Sequence, residues 1–270
     1  MFIFLNGCIC HRDCPARSPL VTKAGRYNDE MQMSQNEWLS AIGMSSSEIP
    51  EKIILEGTWW HKSRYPMRLE YLTNVRELKF PDMYLGDYQG SKIMFCCAYG
   101  AARAVEPVHI FGLLGTKKVI QIGSCGGLQK DIKTGDVVIP TVSHIGEGAS
   151  QYYGQTTQST PTHSLVKSAE AALSSKGLTT HLGPHISTSA LLQQPEGQIK
   201  EWEERGLLGV DMETSAVFSA GEYFNMQRVS MLFVWDELLE GRTWLHEFSA
   251  EEKKRQTEAN RLIFEAALEL

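Results

Sequence analysis

The amino-acid sequence predicts a single α/β domain, in which helices form a sandwich around a largely buried sheet. Short apolar runs rich in β-branched residues alternate with longer segments of helical periodicity, which is typical of this fold class. A chain of 270 residues can bury one large core. Neither an internal repeat nor a low-complexity linker divides the chain, so we expect one domain.

The first half of the chain contains two predicted strands and one predicted helix. Residues 51–55 are a short apolar run and are predicted to form the first core strand. Residues 92–98 are predicted as another strand, and the turn residues 87–90 directly precede it. Residues 104–114 are apolar at helical spacing, and Gly115 behind them is a suitable C-cap.

The second half continues the alternation. Residues 119–122 and 136–140 are predicted to be buried strands, and residues 162–176 have helical character. A late apolar run, residues 228–235, is predicted as one more buried strand. Ser249 begins a sequence of capping-box form, which predicts a long helix at the end of the chain.

Charge and hydropathy exclude two classes of protein. A formal net charge of −6 argues against a nucleic-acid binder, which usually carries a basic patch. No apolar run approaches the roughly 20 residues that span a bilayer.

Cys96, Cys97 and Cys125 fall in predicted strands or turns and are expected to be buried free thiols of a reducing compartment, so we expect a cytoplasmic protein.

The beginning of the chain differs in character from the rest. Residues 1–35 lack periodicity and are expected to form a loose arm, whereas residues 36–270 are expected to form the domain. Cys8, Cys10 and Cys14 lie close together there, but their spacing matches none of the usual zinc patterns, so no metal site is predicted.

A glycine-rich motif follows the strand at residues 119–122. Gly123, Ser124 and two further glycines form the sequence GSCGGL, and residues 135–140 read GDVVIP. The glycines would let the backbone turn tightly and approach a ligand. Ser124 could then offer its hydroxyl and its backbone N–H to an anion at the carboxyl end of a strand.

A second motif, GVDMETSAV at residues 209–217, places two carboxylates on either side of a methionine. An apolar helical run follows it. Together the two motifs resemble the nucleoside phosphorylase family, which includes hexameric purine nucleoside phosphorylases and uridine phosphorylases. The resemblance extends from about Glu51 to the end of the chain.

The resemblance implies a three-layer α/β/α sandwich with a central mixed, partly barrel-like sheet. It also implies an enzyme that transfers ribose from a nucleoside to inorganic phosphate, the co-substrate, with no metal or organic cofactor. The expected partners are a small-molecule nucleoside, phosphate and further copies of the chain in a homo-oligomer, either a dimer or a hexamer. Neither nucleic acid nor a membrane is expected as a partner.

For phosphate, the resemblance assigns Ser124, with Gly123 beside it, and Arg68. Arg68 is matched through Pro66 and Tyr71 to the family's first loop. The family's arginine three residues before Ser124 is here Gln121, which offers only neutral donors. Further cations that could serve are left open, and they are Arg76, Lys79 and Arg103.

For ribose, Glu213 and Met212 are the expected ligands. A carboxylate accepts hydrogen bonds from both vicinal hydroxyls and stabilises positive charge developing on the sugar. The polarizable thioether of Met212 would pack on the sugar face. A carboxylate at a helix N-terminus is also explained by the helix dipole alone.

For the leaving base, Asp236 matches the family's proton donor in its purine-specific members. A carboxyl at a buried strand end can have a raised pKa, as a general acid requires. Arg255 is the expected basic partner, with Arg242 as a competitor. Ile186 or Leu191 would form an apolar wall for the base.

The sequence therefore favours a purine nucleoside phosphorylase. Uridine-specific members place a glutamine and an arginine past residues 186–195, and here no arginine follows until Arg205. Uridine phosphorylase activity stays an alternative. A nucleosidase that uses water is another, with Glu70 as its candidate base, and a catalytically impaired nucleoside-binding protein is a third. The contact to the 5′-hydroxyl is unassigned.

Overall fold

The computed structural model describes residues 33–270. The helices in this range are α1 Gln35–Ile42, α2 His61–Leu69, α3 Ala101–Leu114, α4 His163–Ser175, α5 Glu196–Glu204, α6 Thr214–Tyr223 and α7 Ala250–Glu269. The strands are β1 Lys52–Gly57, β2 Thr73–Glu77, β3 Met83–Tyr88, β4 Ser91–Cys97, β5 Lys118–Gly127, β6 Val137–Gly146, β7 Gln158–Ser159, β8 Thr180–Thr188, β9 Gly209–Asp211 and β10 Gln227–Glu237.

All ten of these strands belong to one mixed sheet, and part of it closes on itself. The order β10-β6-β8-β9-β5 closes because β5 also pairs with β10, which makes a five-stranded barrel. From β5 the sheet continues outwards through β1, β4, β3 and β2. β5 runs parallel to both β1 and β10, whereas β2, β3 and β4 pair as an antiparallel meander. The expected mixed, partly barrel-like sheet is confirmed.

Helices cover both faces of this sheet, because side chains alternate along its strands. In β1, Ile54 faces a core that includes residues of α4 and α7, while Ile53 and Leu55 face a core with α1, α3 and α6. In β4, Phe95 and Met94 divide between the same two cores. Two cores on opposite faces are what a three-layer α/β/α sandwich requires.

The glycines of the GSCGGL motif do not form a turn, and that prediction is wrong. They are part of β5, which continues in extended conformation to Gly127. Near its end β5 exchanges one neighbour for another, since Gly123 is paired with Gly57 of β1 and Gly126 with Val210 of β9. A Cβ on Gly126 would lie 2.6 Å from Leu238 Cδ1, so the glycine permits close packing inside the barrel.

Several sequence expectations can be compared with the described residues. Cys96, Cys97 and Cys125 are buried free thiols, as expected, and burial raises the pKa of Cys96 to about 12. β2, β3, β7, β8 and β9 have no predicted counterpart. Cys8, Cys10, Cys14 and the arm before residue 33 lie outside the described residues, and the domain boundary at residue 36 stays a prediction. Within residues 33–270, no helix has the length and apolar character needed to cross a membrane.

We expect Phe264→Ala to lower the free energy of unfolding by about 3–5 kcal/mol, because the ring is fully buried. Its centroid lies 5.6 Å from that of Phe95 and 5.4 Å from that of Tyr71. Urea denaturation measures the effect. On the same helix, Arg261→Ala is the control and should change stability by no more than about 0.5 kcal/mol, since it removes one exposed ion pair with Glu265. Equal losses in the two variants would contradict this core assignment.

Candidate active site

A cavity opens where β1, β5, β9 and β10 end, at their carboxyl ends. Four elements that are distant in sequence meet there because β5 pairs with β1, β9 and β10 in turn. Ligand sites of α/β proteins commonly lie at this edge of the sheet. Its lining residues are Glu56, Gly57, Thr58, Trp59, Trp60, Arg64, Tyr99, Gly123, Ser124, Cys125, Gly126, Leu191, Val210, Asp211, Met212, Glu213, Phe233, Trp235, Asp236, Trp244 and Asn260.

Glu213 occupies the N-cap position of α6 and lines this cavity. The Gly100 N–H donates to its Oε1 at 2.6 Å, and the Met212 N–H donates to Oε2 at 3.4 Å. Gly57 lies against the carboxylate, since a Cβ there would be 2.6 Å from Oε2. Burial and the neighbouring Asp211 raise the pKa of Glu213. The carboxylate is thus held in one position, and its charge is poorly solvated.

Asp211, at the end of β9, is held entirely by neutral donors. The Thr214 N–H donates to Oδ2 at 3.0 Å, the Ser187 hydroxyl donates to Oδ1 at 2.6 Å, and Gln121 Nε2 donates to Oδ2 at 3.1 Å. Gln121 is buried, and its amide oxygen accepts from Thr214 Oγ1 at 2.6 Å. The Gln121 side chain therefore supports the loop before Glu213 and is not among the residues that line the cavity.

Arg68 does not reach the cavity, so the structure does not place it as the sequence predicted. It is fully buried, and its Nε donates to Glu56 Oε2 at 2.8 Å and its Nη2 to the Asn260 carbonyl at 3.1 Å. The residue one helical turn earlier, Arg64, lines the cavity instead. Arg64 Nε lies 3.2 Å from Glu56 Oε1, an ion-pair contact without hydrogen-bond alignment. Two arginines thus share one buried carboxylate.

Ser124 and Gly123 lie on β5 and both line the cavity, as the sequence predicted. Ser124 is paired with Phe233 of β10. A Cβ on Gly123 would lie 3.0 Å from the Gly57 carbonyl oxygen, so this glycine lets β1 and β5 approach closely beside the site.

Asp236, near the end of β10, faces the same cavity. Burial raises its pKa to about 6, although a backbone hydrogen bond from Trp244 and the nearby His246 act in the opposite direction. Its Oδ1 is buried and has no hydrogen-bond partner within residues 33–270. A buried carboxyl oxygen without a partner is able to donate to or accept from a ligand.

Arg255, the expected partner of Asp236, is exposed and lies away from the cavity. Residues of α7 that face the site are spaced at i, i+3, i+4 and i+7 from Lys253. At about 100° per residue, Arg255 is about 200° around the helix from Lys253. The competitor, Arg242, pairs with Glu237 and Glu252. The structure brings neither arginine to Asp236.

Of the remaining residues predicted from the sequence, some line the cavity and others lie outside it. Met212 and Leu191 line the cavity, whereas Ile186 is buried in a separate core cluster with Trp202. Glu70, the candidate base for a hydrolase, is exposed and outside the lining. The other basic candidates are held elsewhere, Arg76 by Glu48 and Arg103 by Glu106.

Sequence reasoning missed Glu56, Arg64 and an aromatic group at the cavity mouth. The ring centroids of Trp59 and Tyr99 lie 5.1 Å apart, and those of Trp59 and Trp244 lie 6.0 Å apart. Glu56 left a signal, because a carboxylate in a buried strand needs a cationic partner. Arg64 and Arg68 are spaced i, i+4, so one helix face could supply both partners. The three aromatic residues left no comparable signal.

Comparisons with known proteins agree with this geometry. The family model described as the phosphorylase superfamily matches residues 65–269. The DeoD-type purine nucleoside phosphorylase of Clostridium novyi is 26% identical over 244 residues, which cover 85% of this chain and 97% of that protein. The DeoD-type enzyme of Geobacillus stearothermophilus is 28% identical over 243 residues, covering 84% of this chain and 96% of that protein.

The solved structures that resemble the chain include a uridine phosphorylase from Vibrio fischeri ES114. It matches with a TM-score of 0.72 at 24% sequence identity, over 84% of this chain and 93% of that chain. At this identity the likeness shows the fold alone. Since the family model spans about three quarters of the sequence, the chain belongs to the nucleoside phosphorylase family of the phosphorylase superfamily.

Proposed function

We propose that the protein is a purine nucleoside phosphorylase, which cleaves the N-glycosidic bond with inorganic phosphate and releases a free base and ribose 1-phosphate. One observation carries this proposal. Glu213, Ser124 and Asp236 come from three separate elements and line one cavity. Phosphorolysis needs a ligand for the sugar, one for the attacking oxyanion and a proton donor for the base. The cavity offers one residue suited to each need.

Glu213 would accept hydrogen bonds from the 2′- and 3′-hydroxyls of the ribose. Its position is set by the Gly100 N–H, so little reorganisation is needed when the sugar binds. As the glycosidic bond breaks, positive charge develops on the sugar. A poorly solvated carboxylate stabilises that charge more strongly than one in water would.

Asp236 would protonate the leaving base. A purine departs more readily once a ring nitrogen is protonated, and a carboxyl with a pKa of about 6 holds its proton further towards neutral pH than an exposed aspartate does. The names of the DeoD-type relatives agree with purine substrates, at 26% and 28% identity.

Phosphate would bind between Arg64 and Ser124. Arg64 and Arg68 carry two positive charges against the single negative charge of Glu56, so this cluster has one net positive charge. Arg64 is the member of the cluster that lines the cavity together with Ser124. A guanidinium beside a hydroxyl suits an oxyanion.

We also propose that the protein works as a homo-oligomer. Several large apolar side chains are exposed, among them Trp60 at 59%, Leu245 at 73%, Leu192 at 78% and Tyr152 at 77%. Trp60 lines the cavity, and Leu192 and Leu245 directly follow the lining residues Leu191 and Trp244. Exposed apolar patches are typical of surfaces that pack against another protein chain.

A second candidate function is hydrolysis of a nucleoside by water. Of the described residues that line the cavity, Arg64 alone is positively charged, and Gln121 stands at the family's arginine position. One cation attracts a phosphate dianion less strongly than two would. Glu56 is the carboxylate of the first-strand region in the cavity, but its two oxygens already contact Arg64 and Arg68, so neither is free to receive a proton from water.

Incubation with inosine, adenosine and uridine, with and without phosphate, tests the proposal. We expect phosphate-dependent release of hypoxanthine and adenine, together with ribose 1-phosphate.

Arg64→Met should raise the KM for phosphate about tenfold or more, because it removes a charge-assisted contact. Lys62→Met, an exposed change of the same kind on α2, is the control and should leave that KM unchanged. Release of base without phosphate would favour the hydrolase, and release from uridine alone would favour a uridine phosphorylase. Binding without release would indicate an impaired enzyme.

The pH dependence tests the role of Asp236. Because a general acid must be protonated, we expect kcat/KM for inosine to fall as the pH rises through about 6. Asp236→Asn should lower activity on inosine roughly 10²–10⁴-fold and abolish that descending limb. The matched control is 7-methylguanosine, whose base is already cationic and leaves without a proton. Equal losses on both substrates would contradict proton donation by Asp236.

A further inference from the structure

A second cavity adjoins the active-site cavity, and we call it the annexe. Arg64, Trp235, Trp244 and Asn260 line both cavities, so the two lie side by side. The annexe has a volume of about 570 Å³, compared with about 160 Å³ for the active-site cavity. The proposed reaction uses Arg64 but leaves the rest of the annexe without a role.

The annexe opens at the end of the site that would hold the base. Trp235 directly precedes Asp236, and Trp244 lines the active-site cavity together with Asp236. Both tryptophans are shared walls of the two cavities. A substituent that leaves the base on the side of Asp236 would therefore extend into the annexe.

The charge of the annexe favours an anion. Arg64 belongs to the Arg64–Glu56–Arg68 cluster, which carries one net positive charge. Lys253 on α7 adds a second positive charge, and Glu247 supplies one negative charge. His246 also lines the annexe, and its Nδ1 accepts from the Thr243 N–H at 3.1 Å. The neutral imidazole therefore carries its proton on Nε2, where it can donate to a ligand.

The remaining walls suit a spacer between base and anion. Met67, Phe248 and the two tryptophans provide apolar surface. Trp235 Nε1 is buried and has no hydrogen-bond partner within residues 33–270. A buried indole N–H usually finds an acceptor, and a carboxylate oxygen or an ether or amine linker would supply one.

We propose that the annexe selects purine nucleosides whose base carries a flexible substituent ending in a carboxylate. This inference rests on the proposed function, because it takes the position of the base from the role of Asp236. The base would lie beside Asp236, the spacer would pass the two tryptophans, and the carboxylate would lie between His246 and Lys253, which leaves Arg64 for phosphate.

The test measures binding, so it does not depend on turnover. The probe is N6-(1,2-dicarboxyethyl)adenosine, and adenosine is the reference, each titrated against the intrinsic tryptophan fluorescence of the full-length protein. We expect the dicarboxylated nucleoside to bind about two- to fivefold more tightly than adenosine, as a partly exposed charge pair allows. Lys253→Met should reduce this preference, and added salt should reduce it as well.

Lys254→Met is the matched control, because Lys254 is exposed and about 100° around α7 from Lys253. It removes the same charge one residue away and should leave the preference intact. Equal binding of the two nucleosides by the wild type, or equal effects of the two lysine variants, would overturn the annexe proposal. If adenosine binds but is not cleaved with phosphate, the proposed function fails while the binding preference still decides the annexe.

Discussion

The arrangement depends on one buried carboxylate, that of Glu213. It lies where β9 meets α6, with the Gly100 N–H on one oxygen and Gly57 against the other. Gly100 has a φ of +83°, a conformation that side chains with a Cβ rarely adopt, and Gly57 leaves no room for a Cβ. Three parts of the chain must therefore meet for the carboxylate to be held. The sheet brings them together, because β5 pairs with both β1 and β9 and β1 pairs in turn with β4.

Few charged groups surround the Glu213 carboxylate. Neutral groups of Gln121, Thr214 and Ser187 donate hydrogen bonds to Asp211. Burial, and then the neighbouring Asp211 carboxylate, raise the pKa of Glu213. Arg68 is taken up by Glu56 and by the Asn260 carbonyl. Among the described residues that line the cavity, Arg64 alone carries a positive charge. With one cation in its lining, such a cavity would bind phosphate weakly. The positions of its hydrogen-bonding groups would then matter more than its net charge.

The sequence predicted the layers and the central site residues, for identifiable reasons. Apolar runs with β-branched residues predicted β1, β4, β5, β6 and β10, because buried strands must be filled with such side chains. Glu213, Ser124 and Asp236, which line the same cavity, were matched through the motifs of the family that the chain resembles, and the strand pattern alone did not predict β9 before Glu213. The strand β2 was missed because it is exposed except at the partly buried Arg76 and lacks an apolar alternation.

Other features could not be obtained from the sequence. The GSCGGL glycines indicated a turn, but they serve the exchange of β5 from β1 to β9, a contact between distant segments that no local pattern encodes. Arg68 matched a motif position, yet its guanidinium donates to Glu56 and Asn260, and Arg64 one helical turn earlier lines the cavity instead. Arg255 followed the family's order of residues, but one helix face decides which α7 side chains turn inward. Local pattern predicts an element, whereas long-range packing decides which face of it reaches the site.

The most direct measurement compares inosine with 2′,3′-dideoxyinosine in the wild type and in Glu213→Gln. If Glu213 binds the paired ribose hydroxyls, the wild type should prefer inosine by at least about tenfold in kcat/KM, as expected for hydrogen bonds to a charged group. Glu213→Gln should lose most of that preference. A variant that keeps the full preference for inosine would contradict the account.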